Sequence, residues 1–297
     1  MIVITGPTAT GKTTLAAQVA ARCNGEVIGA DSRQVYRGMD IGSGKDIDDF
    51  VVDGKLVAYH LIDIVDPGHE YNVFEFQKDF KKAFDDVVSR NKQPILCGGT
   101  GLYIEAAIKG YELAEVPPNS ELRKELECLD HQQLIEKLQS FKALHNTTDT
   151  QSRKRLIRAI EIEMNQGGYS KRIACHPVPN KVFGIHFDRD VLRKRITQRL
   201  AQRLEGGMIQ EIETLLSSGL KPEQLEFYGL EYRLVTQHVT SQLSRDQLFE
   251  KLNTAIHQFA KRQMTWFRRM ERQGTPINWI DGNLPLERKV EIVMAEL

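Results

Sequence analysis

The stretch from residue 6 to residue 13, Gly-Pro-Thr-Ala-Thr-Gly-Lys-Thr, decides the fold of this chain. It matches the phosphate-loop pattern G-x-x-x-x-G-K-[ST], in which backbone N–H groups surround a phosphate. The apolar run at 1–4 before it predicts a buried strand, and the Ala-rich run at 13–22 after it predicts a helix. Because strand, loop and helix dipole converge on one point, we favour a di- or triphosphate site over a chance match on a surface loop.

Each residue type in the loop has a physical role. Gly6 and Gly11 allow backbone angles that a side chain would block, Lys12 supplies a positive charge, and the Thr13 hydroxyl can hold Mg²⁺. We therefore predict that the whole loop binds a di- or triphosphate, with Thr13 as the metal ligand. The residues predicted to bind it, which the resemblance described below makes diphosphate-binding residues, are Gly6, Pro7, Thr8, Ala9, Thr10, Gly11, Lys12 and Thr13.

The composition is that of an ordinary globular protein. The chain has 297 residues, of which 41% are hydrophobic and 27% charged, and no apolar run approaches the ~18 residues of a membrane span. Four separated cysteines without a C-x-x-C pattern, and a first strand that leaves no room for a leader peptide, predict a cytoplasmic protein. Lys and Arg number 40, as do Asp and Glu, so any nucleic-acid binding depends on local patches.

Alternating strand-like and helix-like segments predict an α/β fold. Strand patterns at 26–30, 57–62, 94–97 and 182–187 surround a helical pattern at 74–90, as in a parallel sheet of the P-loop NTPase type with helices on both faces. The phosphate loop and two other polar segments end such strands, and we expect them to meet at one edge of the sheet. The other two segments are Asp31-Ser32 and Gly98-Gly99-Thr100.

A second domain is predicted where the composition changes. Pro117 and Pro118 interrupt the α/β pattern, and the residues from 120 to 165 have leucine stripes at helical spacing. We predict a helical insertion at 115–179 within a catalytic core made of 1–114 and 180–297.

Candidate chemical groups lie at the strand ends. Asp31 fits a general base or a metal ligand, and it equally fits a helix or turn cap. Thr100 could contact a second phosphate, or it could belong to a plain strand-to-helix turn. No obvious Walker-B aspartate directly ends a run of four apolar residues, which argues against phosphoryl transfer.

Two segments are basic and lack nearby acids. Residues 153–158 carry four basic side chains, and the acid-free run at 191–204 places Arg195, Arg199 and Arg203 four residues apart. Solvated helices normally mix both signs of charge, so we favour anion binding over a merely solvated face in both segments.

Taken together, these motifs resemble the tRNA dimethylallyltransferase family, in the family's order along the whole chain. The most specific segment is Asp-Ser-Arg-Gln-Val-Tyr-Arg-Gly-Met-Asp-Ile-Gly at 31–42. Arg-Leu-Ile-Arg-Ala-Ile-Glu at 155–161 resembles the family's R-x-x-R-A-[LI]-E, and Lys-Arg-Gln-Met-Thr-Trp-Phe at 261–267 resembles its K-R-Q-x-T-W-[FL].

The resemblance implies that a dimethylallyl group passes from dimethylallyl diphosphate to the exocyclic amine of the adenosine immediately 3′ of a tRNA anticodon. It implies that Asp31 is the general base and that Lys12, Thr13, Thr100 and Arg199 bind the leaving pyrophosphate with Mg²⁺. Asp31, Thr100 and Arg199 are thus the implied catalytic residues, in a protein that we expect to be a monomer. The residues implied to meet the tRNA anticodon stem-loop are Asp31, Ser32, Arg33, Gln34, Thr100, Arg123, Lys154, Arg155, Leu156, Ile157 and Arg158.

Three segments depart from the family pattern. Gly-Ser-Gly-Lys-Asp at 42–46 stands where the family often has G-T-A-K-P, the segment at 149–154 differs from N-D-P-Q-R, and Glu231 precedes Tyr232 where G-Y-[KR] is expected. We expect these departures to affect RNA contacts more than the chemistry.

Three other functions are compatible with the phosphate loop. An adenylate isopentenyltransferase would use free AMP or ADP, but a mononucleotide does not need a basic helical insertion. A phosphate-loop kinase would need a metal-binding acid at a strand end beside Thr13. An RNA-binding switch that only senses nucleotide would tolerate an inert Asp31.

Overall fold

The structure is a computed structural model that describes residues 1–141, 152–165, 172–173 and 176–297. The chain divides into two compact units, one made of Met1–Gly110 with His176–Leu297 and the other of Tyr111–Cys175. Residues 149–151, which belong to one segment that departs from the family pattern, lie outside the described residues. No helix in the described ranges is both long and apolar enough to cross a membrane.

The first unit is built on a six-stranded sheet in which every neighbouring pair is parallel, in the order β10-β9-β1-β6-β2-β5. Two further two-stranded ladders are antiparallel. One pairs β3 with β4 in the first unit, and the other pairs β7 with β8 in the second unit. The strands are β1 (Ile2–Thr5), β2 (Gly25–Gly29), β3 (Val51–Val52), β4 (Lys55–Leu56), β5 (Tyr59–His60), β6 (Gln93–Gly98), β7 (Leu113–Ala114), β8 (Arg172–Ile173), β9 (Lys181–His186) and β10 (Ile277–Asp281).

Helices surround the sheet and make up most of the second unit. Short 3₁₀ helices lie at Ile47–Phe50 and Glu226–Tyr228. The α-helices are α1 (Lys12–Arg22), α2 (Val73–Ser89), α3 (Gly101–Lys109), α4 (Ser120–Glu127), α5 (His131–Gln139), α6 (Arg153–Asn165), α7 (Arg189–Glu205), α8 (Met208–Ser217), α9 (Pro222–Leu225), α10 (Leu230–Val239), α11 (Arg245–Arg272) and α12 (Leu286–Met294).

Each sheet face has its own hydrophobic core, because successive residues of a strand point to opposite faces. Val3 belongs to a core that includes residues of α2, α3, α7 and α11. Its neighbours Ile2 and Ile4 belong to a second core with residues of α1 and α12. Burial on both faces explains the continuous apolar strand patterns and confirms the predicted α/β fold with a parallel sheet.

Some sequence-based boundaries were wrong. The strand expected at 57–62 is only Tyr59–His60, because Leu61 and Asp63 adopt left-handed backbone angles, with φ of 60° and 55°, that end the extended chain. Strand β10 at the sheet edge was not predicted. Helix α11 begins after Ser244, whose side chain accepts the N–H of Gln247 in a capping box.

The second unit has a small leucine-rich core of its own. Residues of α4, α5 and α6 form it, and Leu126, Leu134, Leu138 and Leu156 are almost fully buried there. Asn119 and Asp130 cap α4 and α5 through their side-chain oxygens.

Candidate active site

The phosphate loop follows β1 and leads directly into α1, which begins at Lys12. Gly6 has φ +150°, and a β-carbon there would lie 2.8 Å from the carbonyl oxygen of Ile185 on β9. Gly11 also has a positive φ, of 79°, and the Thr10 hydroxyl donates to the Pro7 carbonyl at 2.9 Å. These constraints fix the loop and leave the first N–H groups of α1 available for an anion.

Two side chains from distant segments brace this loop. Gln263 on α11 accepts the Thr8 N–H at 2.9 Å through Oε1 and donates to the Gly99 carbonyl at 2.9 Å through Nε2. Arg195 donates through Nε to the Ala9 carbonyl at 2.9 Å. The segment at 261–267 carried a signal for Gln263, but residue spacing gave no indication of its two partners.

The polar segments that follow β2 and β6 meet at Thr100, which is the N-cap residue of α3. Its hydroxyl oxygen accepts the Ser32 N–H at 3.0 Å, and its own N–H donates to the Ala30 carbonyl at 3.2 Å. Oδ1 of Asp31 accepts the Arg33 N–H at 3.0 Å, and Oδ2 accepts no hydrogen bond from any described residue. The expected convergence of the ends of β2 and β6 is therefore present.

A pocket open to solvent lies between these strand ends and the phosphate loop. Lys12, Thr13, Asp31, Gln34 and Cys97 are among its lining residues. Burial lowers the pKa of Lys12, and the charges of Arg199 and Arg203 lower it further, against the opposing effect of Asp31. Burial also raises the pKa of Cys97 to about 12, so this thiol is neutral near pH 7.

The side chains around Thr13 fit a magnesium ion held chiefly by a substrate. Among the described residues, no cluster of three His, Cys, Asp or Glu side chains could form an all-protein metal site. Mg²⁺ commonly keeps several waters and takes only one or two protein oxygens when substrate phosphates complete its shell. The Thr13 hydroxyl, in the same cavity as Asp31, supplies such an oxygen.

The arginines of α7 line a second pocket beside the phosphate loop. Arg199 and Arg203 lie in this solvent-open pocket together with Thr8, Ala9 and Glu231. The predicted stripe is thus divided, because the Arg195 guanidinium lies 4.6 Å from the centroid of the Phe187 ring.

The segment after Asp31 is held by Glu211, a residue that no sequence pattern indicated. The Glu211 carboxylate on α8 accepts the N–H groups of Asp40, Ile41 and Gly42 at 2.9, 2.6 and 3.0 Å. It also accepts the Tyr232 hydroxyl at 2.8 Å. A carboxylate with four donors fixes its partners strongly, so this loop is rigid around Glu211.

Two residues implied to meet tRNA have internal partners in the same region. Arg33 donates through Nη1 to the Phe227 carbonyl at 3.0 Å. Gln34 donates to the Gly44 carbonyl at 2.9 Å. Both side chains remain partly exposed, so they hold the loop and can also form one wall of a site.

In the helical unit, Arg123 and Arg158 share a buried carboxylate. Glu161 is fully buried, and both guanidiniums pair with it, Arg123 with N–O distances of 3.0 and 2.9 Å. Arg158 also donates to the Val116 carbonyl at 2.7 Å. The contact of these guanidiniums with tRNA stays a prediction, and any such contact would be made by side chains that also pair with Glu161.

The remaining predicted tRNA residues of α6 separate by face. Leu156 and Ile157 pack in the core of the helical unit, so their predicted contact with RNA is not one that their buried side chains offer from this position. Lys154 and Arg155 are exposed on the opposite face. The helical period thus divides one sequence signature into a structural face and a basic face.

The fold and site define a phosphate-loop α/β protein whose polar strand ends converge beside the loop. Residues 34–270 match the family described as IPP transferase, and residues 1–58 match the family described as isopentenyl transferase. The chain belongs to the tRNA dimethylallyltransferase, or IPP transferase, family, which confirms the resemblance seen in its motifs.

Two curated relatives show how far this similarity extends. The chain is 51% identical over 298 residues to tRNA dimethylallyltransferase 1 of Parabacteroides distasonis, covering 100% of this chain and 97% of the relative. It is 53% identical over 283 residues to tRNA dimethylallyltransferase 1 of Geotalea daltonii, covering 95% and 91%.

A solved structure has the same fold. The tRNA isopentenylpyrophosphate transferase of Bacillus halodurans is 32% identical, with a TM-score of 0.72 over 99% of this chain and 94% of that chain. These similarities favour tRNA prenylation over the adenylate-prenylating and kinase alternatives.

Proposed function

We propose that this protein transfers the dimethylallyl group of dimethylallyl diphosphate to N6 of the adenosine 3′-adjacent to the anticodon of tRNA, releasing pyrophosphate. The observation that carries this proposal is the junction at Thr100. There the Thr100 hydroxyl accepts the Ser32 N–H next to Asp31, and the Asp31 carboxylate and the Lys12 ammonium line one pocket at the phosphate loop.

The donor binds through its diphosphate. The N–H groups of residues 9–13, the Lys12 ammonium, the Thr100 hydroxyl and the Arg199 guanidinium face negative charge that grows as the allylic C1–O bond breaks. Preorganised donors of this kind lower the barrier because they require little rearrangement in the transition state. Mg²⁺, held by Thr13 and the diphosphate, would neutralise part of that charge.

The acceptor is activated by Asp31. As the N6–C1 bond forms, the amine must lose a proton, and the free Oδ2 of Asp31 takes it. The pyrophosphate leaves with the electron pair of the broken C1–O bond. An anticodon loop presents an adenine that can unstack at low cost, as a reaction on a base requires.

The tRNA is held by two parts of the chain. Residues 31–34 and Thr100 meet the flipped adenosine and its neighbours, and the basic face of α6, with Lys154 and Arg155, meets the phosphates. The outer edges of Arg123 and Arg158, whose side chains are 34% and 37% exposed, add to the positive potential. Leu156 and Ile157 hold α6 in place. We propose that the monomer acts in the cytoplasm, where tRNA is found.

The activity is tested by nucleoside mass spectrometry of a tRNA transcript incubated with dimethylallyl diphosphate and Mg²⁺. We expect dimethylallyladenosine only when adenosine stands 3′ of the anticodon, and none from a transcript carrying guanosine there. Efficient prenylation of AMP, with an unmodified tRNA, would refute the proposal in favour of an adenylate isopentenyltransferase. Chelation of Mg²⁺ by EDTA should reduce donor affinity by weakening diphosphate binding.

A further inference from the structure

Arg203 lies one helical turn beyond Arg199 on α7. Contacts within the described part of the protein leave part of its guanidinium without a hydrogen-bond acceptor. Its side chain is only 15% exposed, and its buried Nη2 atom has no hydrogen-bond partner among the described residues. Buried guanidinium N–H groups normally find acceptors, because an unmet one costs free energy. An acceptor is therefore missing at this point.

The missing acceptor would lie in the cavity on the α7 side of the phosphate loop. Arg203 lines this cavity with Arg199 and with Thr8 and Ala9 of the loop. Two guanidiniums beside the phosphate loop form a site that suits a multiply charged anion.

The nearby carboxylates do not balance this positive charge. Glu231 lines the same cavity, but burial raises its pKa, which weakens it as a counter-ion. Asp46 has one oxygen, Oδ2, 2.5 Å from Nη2 of Arg199 and 3.7 Å from Nη2 of Arg203. The Asp46 side chain is 48% exposed, so it is a partly hydrated partner of both arginines.

Asp46 is attached to a rigid loop and can leave the arginines by side-chain rotation alone. The preceding residue, Lys45, is buried, and its ammonium donates to the Tyr36 carbonyl at 2.7 Å and pairs with Asp40 and Asp63. Gly44 lies against Arg203 so closely that a β-carbon there would collide with Nη2. The loop therefore fixes the distance between Asp46 and α7 while its carboxylate faces solvent.

We propose that Arg203 is a second guanidinium of the diphosphate site, and that Asp46 is a temporary counter-ion which the diphosphate displaces from Arg199 and Arg203. Asp46 and Glu231 both belong to segments that depart from the family pattern, at 42–46 and 231. This inference rests on the proposed function, since it assumes that the anion in the phosphate loop is the donor's diphosphate. When the diphosphate displaces Asp46, phosphate oxygens take the place of its carboxylate beside the two arginines. One of these oxygens can also accept a hydrogen bond from the buried Nη2 of Arg203.

The test is the affinity of the full chain for inorganic pyrophosphate with Mg²⁺, measured by isothermal titration calorimetry. Asp46→Asn should bind about two- to fivefold more tightly, because it removes an exposed competing ion pair. Arg203→Gln should bind about tenfold more weakly, because it removes a charge-assisted hydrogen bond. In the double variant the gain from Asp46→Asn should shrink, since one of its two partners is gone.

The matched control is Asp48→Asn. Asp48 is an exposed aspartate in the 3₁₀ helix that Asp46 precedes, and it has no ion pair with a described residue, so its loss reports only the long-range effect of one charge. Weaker pyrophosphate binding by Asp46→Asn would show a fixed structural ion pair and overturn the proposal, as would equal gains from Asp46→Asn and Asp48→Asn. Arg203→Lys, which keeps the charge and loses the planar fork, replaces Arg203→Gln if the latter lowers the melting temperature.

Lys12→Ala separates this proposal from the function on which it rests. If wild type binds pyrophosphate and Lys12→Ala does not, the phosphate loop is the anion site, and unchanged binding in Arg203→Gln then refutes only the role of Arg203. If wild type fails to bind pyrophosphate, the proposed donor site and this inference fail together.

Discussion

The two oxygens of Asp31 have different surroundings, which bears on the role of this residue. Oδ1 closes a turn with the Arg33 N–H, as a capping aspartate does. Oδ2 is left without a hydrogen bond from the described residues, in a cavity shared with Lys12. Capping and proton transfer are therefore compatible in one side chain, because each uses a different oxygen.

Replacing Asp31 by Asn separates these two roles. The amide oxygen keeps the turn, but the side chain loses its charge and its basicity. We expect the single-turnover rate at saturating tRNA to fall by about 10²–10⁴-fold, the usual contribution of a positioned base. Affinity for both substrates should stay within a few fold, and a rate near that of wild type would limit Asp31 to capping.

Gln263 is the residue whose two hydrogen bonds join the phosphate loop to the turn after β6. Gln263→Leu leaves the Thr8 N–H and the Gly99 carbonyl without their partner, at a cost of about 1–3 kcal/mol for each buried group. We expect weaker pyrophosphate binding in calorimetry and a lower melting temperature. Gln258→Leu, an exposed position on the same helix, is the control and should change neither.

Helix α6 has a buried structural face and an exposed basic face. Its Leu156 face packs in the helical core, Arg158 neutralises buried Glu161, and Arg155 is exposed. Substituting Arg158 would leave a buried carboxylate with one partner fewer and would disturb the fold. Arg155 is therefore the better residue with which to test RNA contact.

We expect Arg155→Ala to weaken tRNA binding and to reduce the slope of log K against log salt by about one unit, as for the loss of one phosphate contact. Pyrophosphate binding should not change. Lys124→Ala removes one exposed charge from α4 in the same unit and serves as the control. Filter-binding titrations at several salt concentrations measure both variants, and an unchanged slope in Arg155→Ala would mark a solvated face.

Strand β2 carries a buried carboxylate whose charge stabilises the sheet. The hydrogen bonds from Arg90 lower the pKa of Glu26 from 4.5 to about 2, although burial opposes the shift. A carboxyl with a lowered pKa adds stability above its ordinary pKa and loses it as pH falls through the folded-state pKa. This contribution is therefore complete near pH 7 and declines between about pH 4.5 and pH 2.

We expect Glu26→Gln to lower the melting temperature at pH 7, and the difference from wild type to shrink as pH falls below about 4.5. Glu205→Gln, at an exposed position on α7, should have little effect at any pH. Calorimetric melting curves between pH 7 and about pH 3 measure this difference in melting temperature. A difference that stays constant over this range would mean that Glu26 stabilises the protein through its shape and not through its charge.

The whole molecule shows which features a sequence can reveal. The phosphate loop, strand ends and α6 were predictable because each is encoded within a few residues. Gln263 and Thr8 are 255 positions apart and Asp46 and Arg199 are 153 apart, so only folding brings them together. The two faces of α6 were not predicted, although they lie within one short segment. Residues 154–158 were assigned to RNA contact together, without separating them by the helical period.

We propose above that the phosphate loop holds the diphosphate that leaves the prenyl donor, and that no nucleoside triphosphate is hydrolysed there. This proposal is tested most directly by measuring pyrophosphate release and prenylated adenosine together, with tRNA, dimethylallyl diphosphate and Mg²⁺ and no ATP. We predict one pyrophosphate for each prenylated adenosine, and no hydrolysis when ATP replaces the prenyl donor. Prenylation that requires ATP, or steady ATP hydrolysis stimulated by tRNA, would contradict this account.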